Sequence, residues 1–431
     1  MTTFEPVRRL AVHRVFATGE RRRVGELAQN PQGVFFQYDR EYLKSSPSLS
    51  PFTLAFDISL QQAPHDPHDG LHGVFADSLP DGWGRLVMDR VYRQHGVLPS
   101  ELTSMDRLSY IGDRGLGALQ FSPLSPIGPE TLNEVDLAEL GERARALFED
   151  RDTDVSPSLA ATGSSGGARP KALVYLPTTG GSGASAQPGE GLEPWLVKFT
   201  SASLPLGHEE SLCEAAYLTL ASEAGIDTPE WRLIPVPTGA RSSAIASLAV
   251  KRFDCTPDGG RLHMHSLCGL LDADFRAPSM DYEDLIKASQ VLCVSPAVGQ
   301  SQFVRAVFNL FTVNQDDHTR NWAFLQDDAG RWRPSPCYDV TFSPSPRGEH
   351  STAFLGHGAA PPLKAMQQLA GQANYASWAR AQEAIEEVVD VVHRWPTVAT
   401  RLGVGVDTRR LVMGRLEEVR LANRSLVGFL S

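Results

Sequence analysis

Apolar and polar positions follow two different periods along this chain, and the change of period divides it. Over roughly the first 125 residues the apolar runs are short and broken by Pro, Gly, Asn and Asp. Gly33-Val34-Phe35-Phe36-Gln37-Tyr38 predicts a strand ahead of a turn. From about 126 to 255, two Gly/Ser-rich stretches at 161–167 and 178–191 bracket the strand-like Ala172-Leu173-Val174-Tyr175-Leu176. Further strands are predicted at 195–199 and 247–253, and a helix at 209–224, closed by Gly225 and followed by Pro229. Beyond 255 the period is helical, at 281–294, 300–313, 376–393 and 407–424. Trp378, Ala381, Ile385, Val388 and Val392 recur at the spacing of one buried helix face. The pattern predicts an α+β chain in three parts: a small α+β unit at 1–125, a sheet-rich segment with one helix at 126–255, and a mainly helical segment at 256–431. No repeat of 20 to 50 residues runs through it, which argues against a solenoid or propeller.

Composition narrows the function classes. The 431 residues carry 40 Lys+Arg against 51 Asp+Glu, a net charge of −11, which removes the simplest electrostatic route to nucleic acid. No apolar run approaches the roughly 20 residues a membrane span requires, so a cytoplasmic protein is expected. Cys213, Cys255, Cys268, Cys293 and Cys337 are scattered, with no C-x-x-C pair, and indicate neither a disulfide framework nor a zinc site.

The segment Val313-Asn314-Gln315-Asp316-Asp317-His318-Thr319-Arg320-Asn321-Trp322 is the most informative. It follows an apolar helix and runs into a strand, so a polar cluster sits in a loop between packed elements. Asp316 and Asn321 have the D-x-x-x-x-N spacing of a kinase catalytic loop, though by itself that spacing also fits a polar turn at a helix end. Asp327-Asp328-Ala329-Gly330 predicts a hairpin that returns Asp339 towards Asn321, as a Mg²⁺-nucleotide site needs; a plain turn before a Pro-rich loop is the other reading of Asp339. Strand alternation puts Trp195, Val197 and Phe199 on one face and Leu196 and Lys198 on the other, where Lys198 is either an edge gatekeeper or a partner for Glu214 on the following helix. Glu214 facing water is the alternative. The stretch Ser164-Ser165-Gly166-Gly167-Ala168-Arg169-Pro170-Lys171 suits a phosphate-cradling loop or a linker and matches neither common phosphate-loop fingerprint. Val250-Lys251-Arg252-Phe253-Asp254 suits an adenine-binding hinge, with Arg252 and Asp254 equally readable as a surface pair.

These residues together resemble the HipA family of type II toxin–antitoxin kinases. The resemblance covers nearly the whole chain and rests on Phe75-Ala76-Asp77-Ser78-Leu79-Pro80-Asp81-Gly82-Trp83-Gly84-Arg85, Gly167 to Lys171, Glu214 to Gly225, Lys251 to Asp254, Asp316 to Asn321, and Tyr338-Asp339. It implies a two-lobed protein-kinase-like fold with an added N-terminal subdomain, and an ATP- and Mg²⁺-dependent Ser/Thr kinase. It also implies a HipB-type DNA-binding antitoxin as partner, contact with DNA only through that partner, and protein targets that include aminoacyl-tRNA synthetases. By the same resemblance Asp316 is the catalytic base, Asn321 and Asp339 hold Mg²⁺, and Lys198 holds ATP phosphate with Glu214 behind it. Lys251 and Phe253 give hinge contacts, Ser165, Gly166 and Gly167 belong to the phosphate loop, and Ser164 is the autophosphorylated serine, with Ser165 one position away. Arg320 stands where the family often has Lys, and the 178–191 insertion has no assigned role.

Two rivals belong to other classes. A metal-dependent phosphohydrolase would use Asp316, Asp317 and His318, but His263, His265, His350 and His357 form no helix-spaced set with them. A non-catalytic partner would only complete a repressor complex with its antitoxin.

Overall fold

The computed structural model describes residues 4–129, 132–163, 165–178, 183–236, 245–277 and 280–428. The chain forms two compact units, the first from residues 1–204, 234–272 and 325–331, the second from 205–233, 273–324 and 332–431.

In the first unit, β1 (Arg9–Val15), β2 (Arg21–Asn30), β3 (Gly33–Tyr38), β4 (Gln61–Gln62) and β5 (Leu119–Ser122) form an antiparallel sheet in the order β4-β3-β2-β1-β5. Period-two alternation turns Leu10 and Val12 of β1, Leu27 of β2 and Phe36 of β3 into one core, with Phe75, Met105 and Leu108 packed against them. A second core of the same unit joins the helix Gly82–Gln94, through Trp83, Val87 and Tyr92, to the helix Leu137–Phe148, through Leu140, Ala144 and Leu147. It also takes Ala172 and Val174 of β6 (Lys171–Pro177) and Trp195 and Val197 of β7 (Leu192–Lys198). β7 pairs antiparallel with β6 on one side and with the strand Ala246–Lys251 on the other.

The second unit is mainly helical. Helices run at Glu210–Glu223, Tyr282–Cys293, Ala297–Thr312, Trp378–Val392 and Val406–Ala422, close to the positions their apolar spacing predicts. Asp281 and Asp284 form a capping box at the start of Tyr282–Cys293, satisfying N–H groups that have no partner inside the helix. Tyr217 donates to the Thr312 carbonyl at 2.6 Å and packs edge-on against Trp395, which ties three helices together. The α+β class expected from the pattern is the class observed. Among the described residues no helix is long and apolar enough to cross a membrane.

Candidate active site

The loop predicted to carry chemistry begins where the helix Ala297–Thr312 ends. Val313 takes a left-handed backbone at φ 57°, which a β-branched residue adopts only when its surroundings fix it. The surroundings do so here. Asn314 donates to Asn309 Oδ1 at 2.9 Å, and its own Oδ1 accepts from Ser343 Oγ at 3.0 Å. Asn314 and Ser343 also pair as a parallel bridge, and the Ser343 N–H donates to the Val313 carbonyl at 3.1 Å. The chain that follows Asp339 therefore runs alongside the chain that leads into Asp316.

Asp316 and its neighbour Asp317 fare very differently. The Asp316 side chain is 66% exposed, with its N–H held 3.3 Å from Ser343 Oγ. Asp317 is closed to solvent. Its Oδ2 accepts from Tyr282 and from His350 Nδ1 (2.8 Å), and its Oδ1 accepts the N–H groups of Ser351 (2.8 Å) and Thr352 (3.2 Å). Its carbonyl accepts Thr352 Oγ1 at 2.6 Å and the Trp322 indole at 3.2 Å. Burial, and then the charge of Asp317, push the Tyr282 phenol well above its ordinary value, so it stays a donor. With four hydrogen bonds already on its carboxylate, Asp317 is poorly suited to bind a metal, which weighs against the phosphohydrolase arrangement of Asp316, Asp317 and His318.

Asn321 closes the loop: its Nδ2 donates to the Asp316 carbonyl at 2.7 Å, which leaves Oδ1 as the acceptor end of the amide. Tyr338 donates to the Arg320 carbonyl at 2.6 Å, so the residue before Asp339 is fastened to the residue before Asn321. Asp339 itself is half-buried with φ 58°, a backbone that Asp and Asn tolerate better than most residues. An amide oxygen and a carboxylate on adjoining loops are the hard oxygen donors that suit Mg²⁺, which commonly takes one or two carboxylates and completes its shell with phosphate and water. Arg320 lays its guanidinium on the Phe275 ring, 4.2 Å from the centroid, and His318 meets the same ring edge-on.

The remaining candidates lie as follows. Lys198 ends β7 in the first unit and is 5% exposed, paired in register with Lys171 of β6; Trp195, Val197 and Phe199 enter the second core of that unit, as alternation required. Glu214 lies on the helix Glu210–Glu223 of the second unit and is 1% exposed, so it does not face water. Lys251 ends its strand with Nζ 2.8 Å from Glu193, and a cavity of about 710 Å³ within the first unit opens beside it, lined also by Gly163, Leu173, Tyr175 and Arg252. Phe253 is half-buried just past the strand. Arg252 and Asp254 are not a surface pair. Both are buried, Nη2 to Oδ2 is 2.6 Å and Nε to Oδ1 is 3.0 Å, and Asp254 also accepts the Gly117 N–H at 2.6 Å. Ser164 lies outside the described residues. Ser165 is buried, and its hydroxyl finds no hydrogen-bond partner among the described residues. Gly167 gives its N–H to Asp81, and Lys171 Nζ donates to the Gly166 carbonyl at 2.7 Å.

Sequence reasoning did not find Tyr282, Asn309, Asn314, Ser343 or His350 as supports of the loop. Tyr282 and His350 stand 35 and 33 residues from Asp317, so nothing local marks them.

The model of the HipA N-terminal domain matches residues 14–122, and that of the HipA-like C-terminal domain matches residues 163–395. "Putative kinase Y4dM" of Sinorhizobium fredii is 29% identical over 169 residues, which are 37% of this chain and 40% of that relative, so the match spans about two-fifths of its length. A chain of the solved Shewanella oneidensis MR-1 complex of HipA, HipB and operator DNA superposes with a TM-score of 0.69 at 17% identity, over 96% of this chain and 97% of that one, a likeness of fold. The C-terminal model covers more than half of the sequence and the N-terminal model lies ahead of it, so this chain belongs to the HipA family.

Proposed function

We propose that this chain is an ATP- and Mg²⁺-dependent serine/threonine protein kinase and the toxin of a type II toxin–antitoxin pair. The observation that carries the reading is the Asp316–Asn321 loop, closed on itself by the Asn321 amide and held on a buried Asp317. Phosphoryl transfer asks little covalent chemistry of a protein; it asks for positioning and charge stabilisation, and a loop fixed at both ends supplies the first.

In this reading Asp316, exposed and aimed by its loop, accepts the proton of the substrate hydroxyl as the hydroxyl oxygen bonds to the γ-phosphorus and ADP leaves. Asn321 Oδ1 and the Asp339 carboxylate would hold Mg²⁺, whose charge would offset that of the phosphates. Lys198 holds ATP phosphate, Glu214 is the helix carboxylate behind it, and the backbone at Lys251 and Phe253 meets adenine. Ser165, Gly166 and Gly167 belong to the phosphate loop. The buried Ser165 hydroxyl supports Ser164 as the residue that accepts phosphate in self-inactivation. The partner is a HipB-type antitoxin, through which any operator DNA is met; the substrate is a cellular protein, for which the family resemblance points to an aminoacyl-tRNA synthetase, and its phosphorylation arrests growth.

The test is the intact mass of the purified chain after incubation with Mg²⁺-ATP, beside Asp316→Asn, with peptide mapping of any phosphate. A phosphate on Ser164 in the parent alone supports the kinase and its off-switch. An unmodified parent that neither gains mass nor binds ATP sinks the reading and leaves a non-catalytic antitoxin partner.

A further inference from the structure

Residues 81–83 have no part in the chemistry above, yet their geometry departs from what a helix start ordinarily does. An Asp at the N-cap position usually turns its carboxylate back onto free N–H groups of the first turn. Asp81 holds that position ahead of the helix Gly82–Gln94 and makes no cap hydrogen bond. Its Oδ1 accepts the N–H of Gly167 instead. Two residues on, the Trp83 N–H donates to the Gly167 carbonyl at 3.0 Å. Both backbone groups of one loop glycine are thus taken by one tripeptide.

The rest of the contact is shaped to this purpose. Gly82 has φ +38°, and a Cβ there would stand 2.8 Å from the Gly167 oxygen; Gly167 has φ +96°, a backbone open to glycine and strained for other residues. Trp83 is buried and donates its indole N–H to the Lys171 carbonyl at 2.8 Å, and Lys171 Nζ returns to Gly166. The 166–171 loop is therefore fastened at its glycines and at its exit into β6.

We propose that Asp81 is a positioning residue: a latch that presets the glycine loop for the phosphates of Mg²⁺-ATP. A loop already ordered spares the ligand the entropy of ordering it, so the latch acts on nucleotide affinity and leaves the chemical step alone. The ligand in this inference rests on the kinase reading; the latch itself does not.

The test uses the full chain as parent, Asp81→Ala, Asp81→Asn, which keeps an Oδ1 acceptor, and Gly82→Ala, which presses a Cβ on Gly167 from the other side. Hydrogen exchange is measured without nucleotide. Peptides spanning 166–171 should exchange about tenfold faster in Asp81→Ala and Gly82→Ala and near the parental rate in Asp81→Asn, while β7 peptides stay unchanged and certify the fold. Mg²⁺-ATP binding should then weaken about tenfold in Asp81→Ala, appearing in KM with kcat at saturating ATP retained, and Asp81→Asn should restore most of it. Unchanged exchange in the loop, or unchanged or tighter binding by Asp81→Ala, overturns the latch. If the parent itself binds no ATP, the kinase reading falls, and the exchange result alone decides whether Asp81 sets the loop.

Discussion

His350 Nδ1 lies 2.8 Å from Asp317 Oδ2, and both side chains are closed to solvent. With Tyr282 and the Ser351 and Thr352 amides on the same carboxylate, this pair anchors the loop whose next residue, Asp316, is exposed. Removing Asp317 strands several buried donors at once. Asp317→Ala should cost about 3–5 kcal/mol, since each buried group left unpaired costs about 1–3 kcal/mol. Urea unfolding checks this, and a midpoint within error of the parent would show that the carboxylate does not anchor the loop.

Asp316 and Asp339 should behave oppositely, as residues of chemistry rather than stability. Asp316 is largely exposed, and Asn tolerates the left-handed backbone of Asp339, so Asp316→Asn and Asp339→Asn should each leave unfolding within about 0.5 kcal/mol of the parent. Loss of a positioned proton acceptor costs on the order of 10²–10⁴ in rate, and that loss is expected of Asp316→Asn at every Mg²⁺ concentration. Asp339→Asn should need more Mg²⁺ for its residual rate. Initial-rate measurements across a Mg²⁺ series separate the two, and parental rates in both variants would dismiss the assignment.

Arg252 and Asp254 make a buried, two-bonded pair on Gly115 and Gly117. Burial raises the Asp254 carboxyl, but Arg252, Arg261 and the Gly117 N–H outweigh it and hold the group below the ordinary carboxylate value. The unfolded chain then takes up this proton at higher pH than the folded one. The pair's contribution is complete above roughly pH 4 and is lost as pH falls through the folded value. Asp254→Asn should lower stability by about 3–5 kcal/mol at pH 7, leaving the buried Arg252 without its counter-charge, and should flatten the acid limb below pH ~4. Denaturation midpoints from pH 7 to 3 measure both effects.

His72 is buried against Phe36 and Phe75, and neither ring nitrogen has a hydrogen-bond partner among the described residues. Burial pushes its pKa down to about 4, partly offset by Asp272. A histidine depressed in this way is neutral when folded and charged when unfolded between about pH 6.5 and 4, so stability falls with pH through that window, by up to about 1.4 kcal/mol per pH unit. His72→Phe removes the titration and two unsatisfied atoms. The variant should gain up to about 2 kcal/mol on the parent between pH 7 and pH 5, and a constant difference between them would show that His72 does not carry the effect.

Much of this protein was legible in one dimension because its signals are local. The helices of the second unit declare themselves by spacing, as Ala381, Ile385, Val388 and Val392 do, and the β7 alternation correctly turned Trp195, Val197 and Phe199 into the core. Asp316 and Asn321 stood out because only four residues separate them, and the Asn321 bond to the Asp316 carbonyl is a contact within that loop. Arg252 and Asp254 were readable as a surface pair because sequence spacing carries no information on burial; Gly115 and Gly117, more than 130 residues away, cover them.

By itself, then, the sequence determined the α+β class, the positions of the more regularly spaced helices and strands, and the residue types of the loop, since period and spacing act over a few residues. Only the tertiary structure decided which of two adjacent aspartates is exposed and which is locked away. The same holds for Asp81, which gives up a helix cap for an amide 86 residues distant. In both cases a carboxylate is satisfied by whichever donors the packed chain brings within hydrogen-bond reach, and that proximity exists only once the chain has folded.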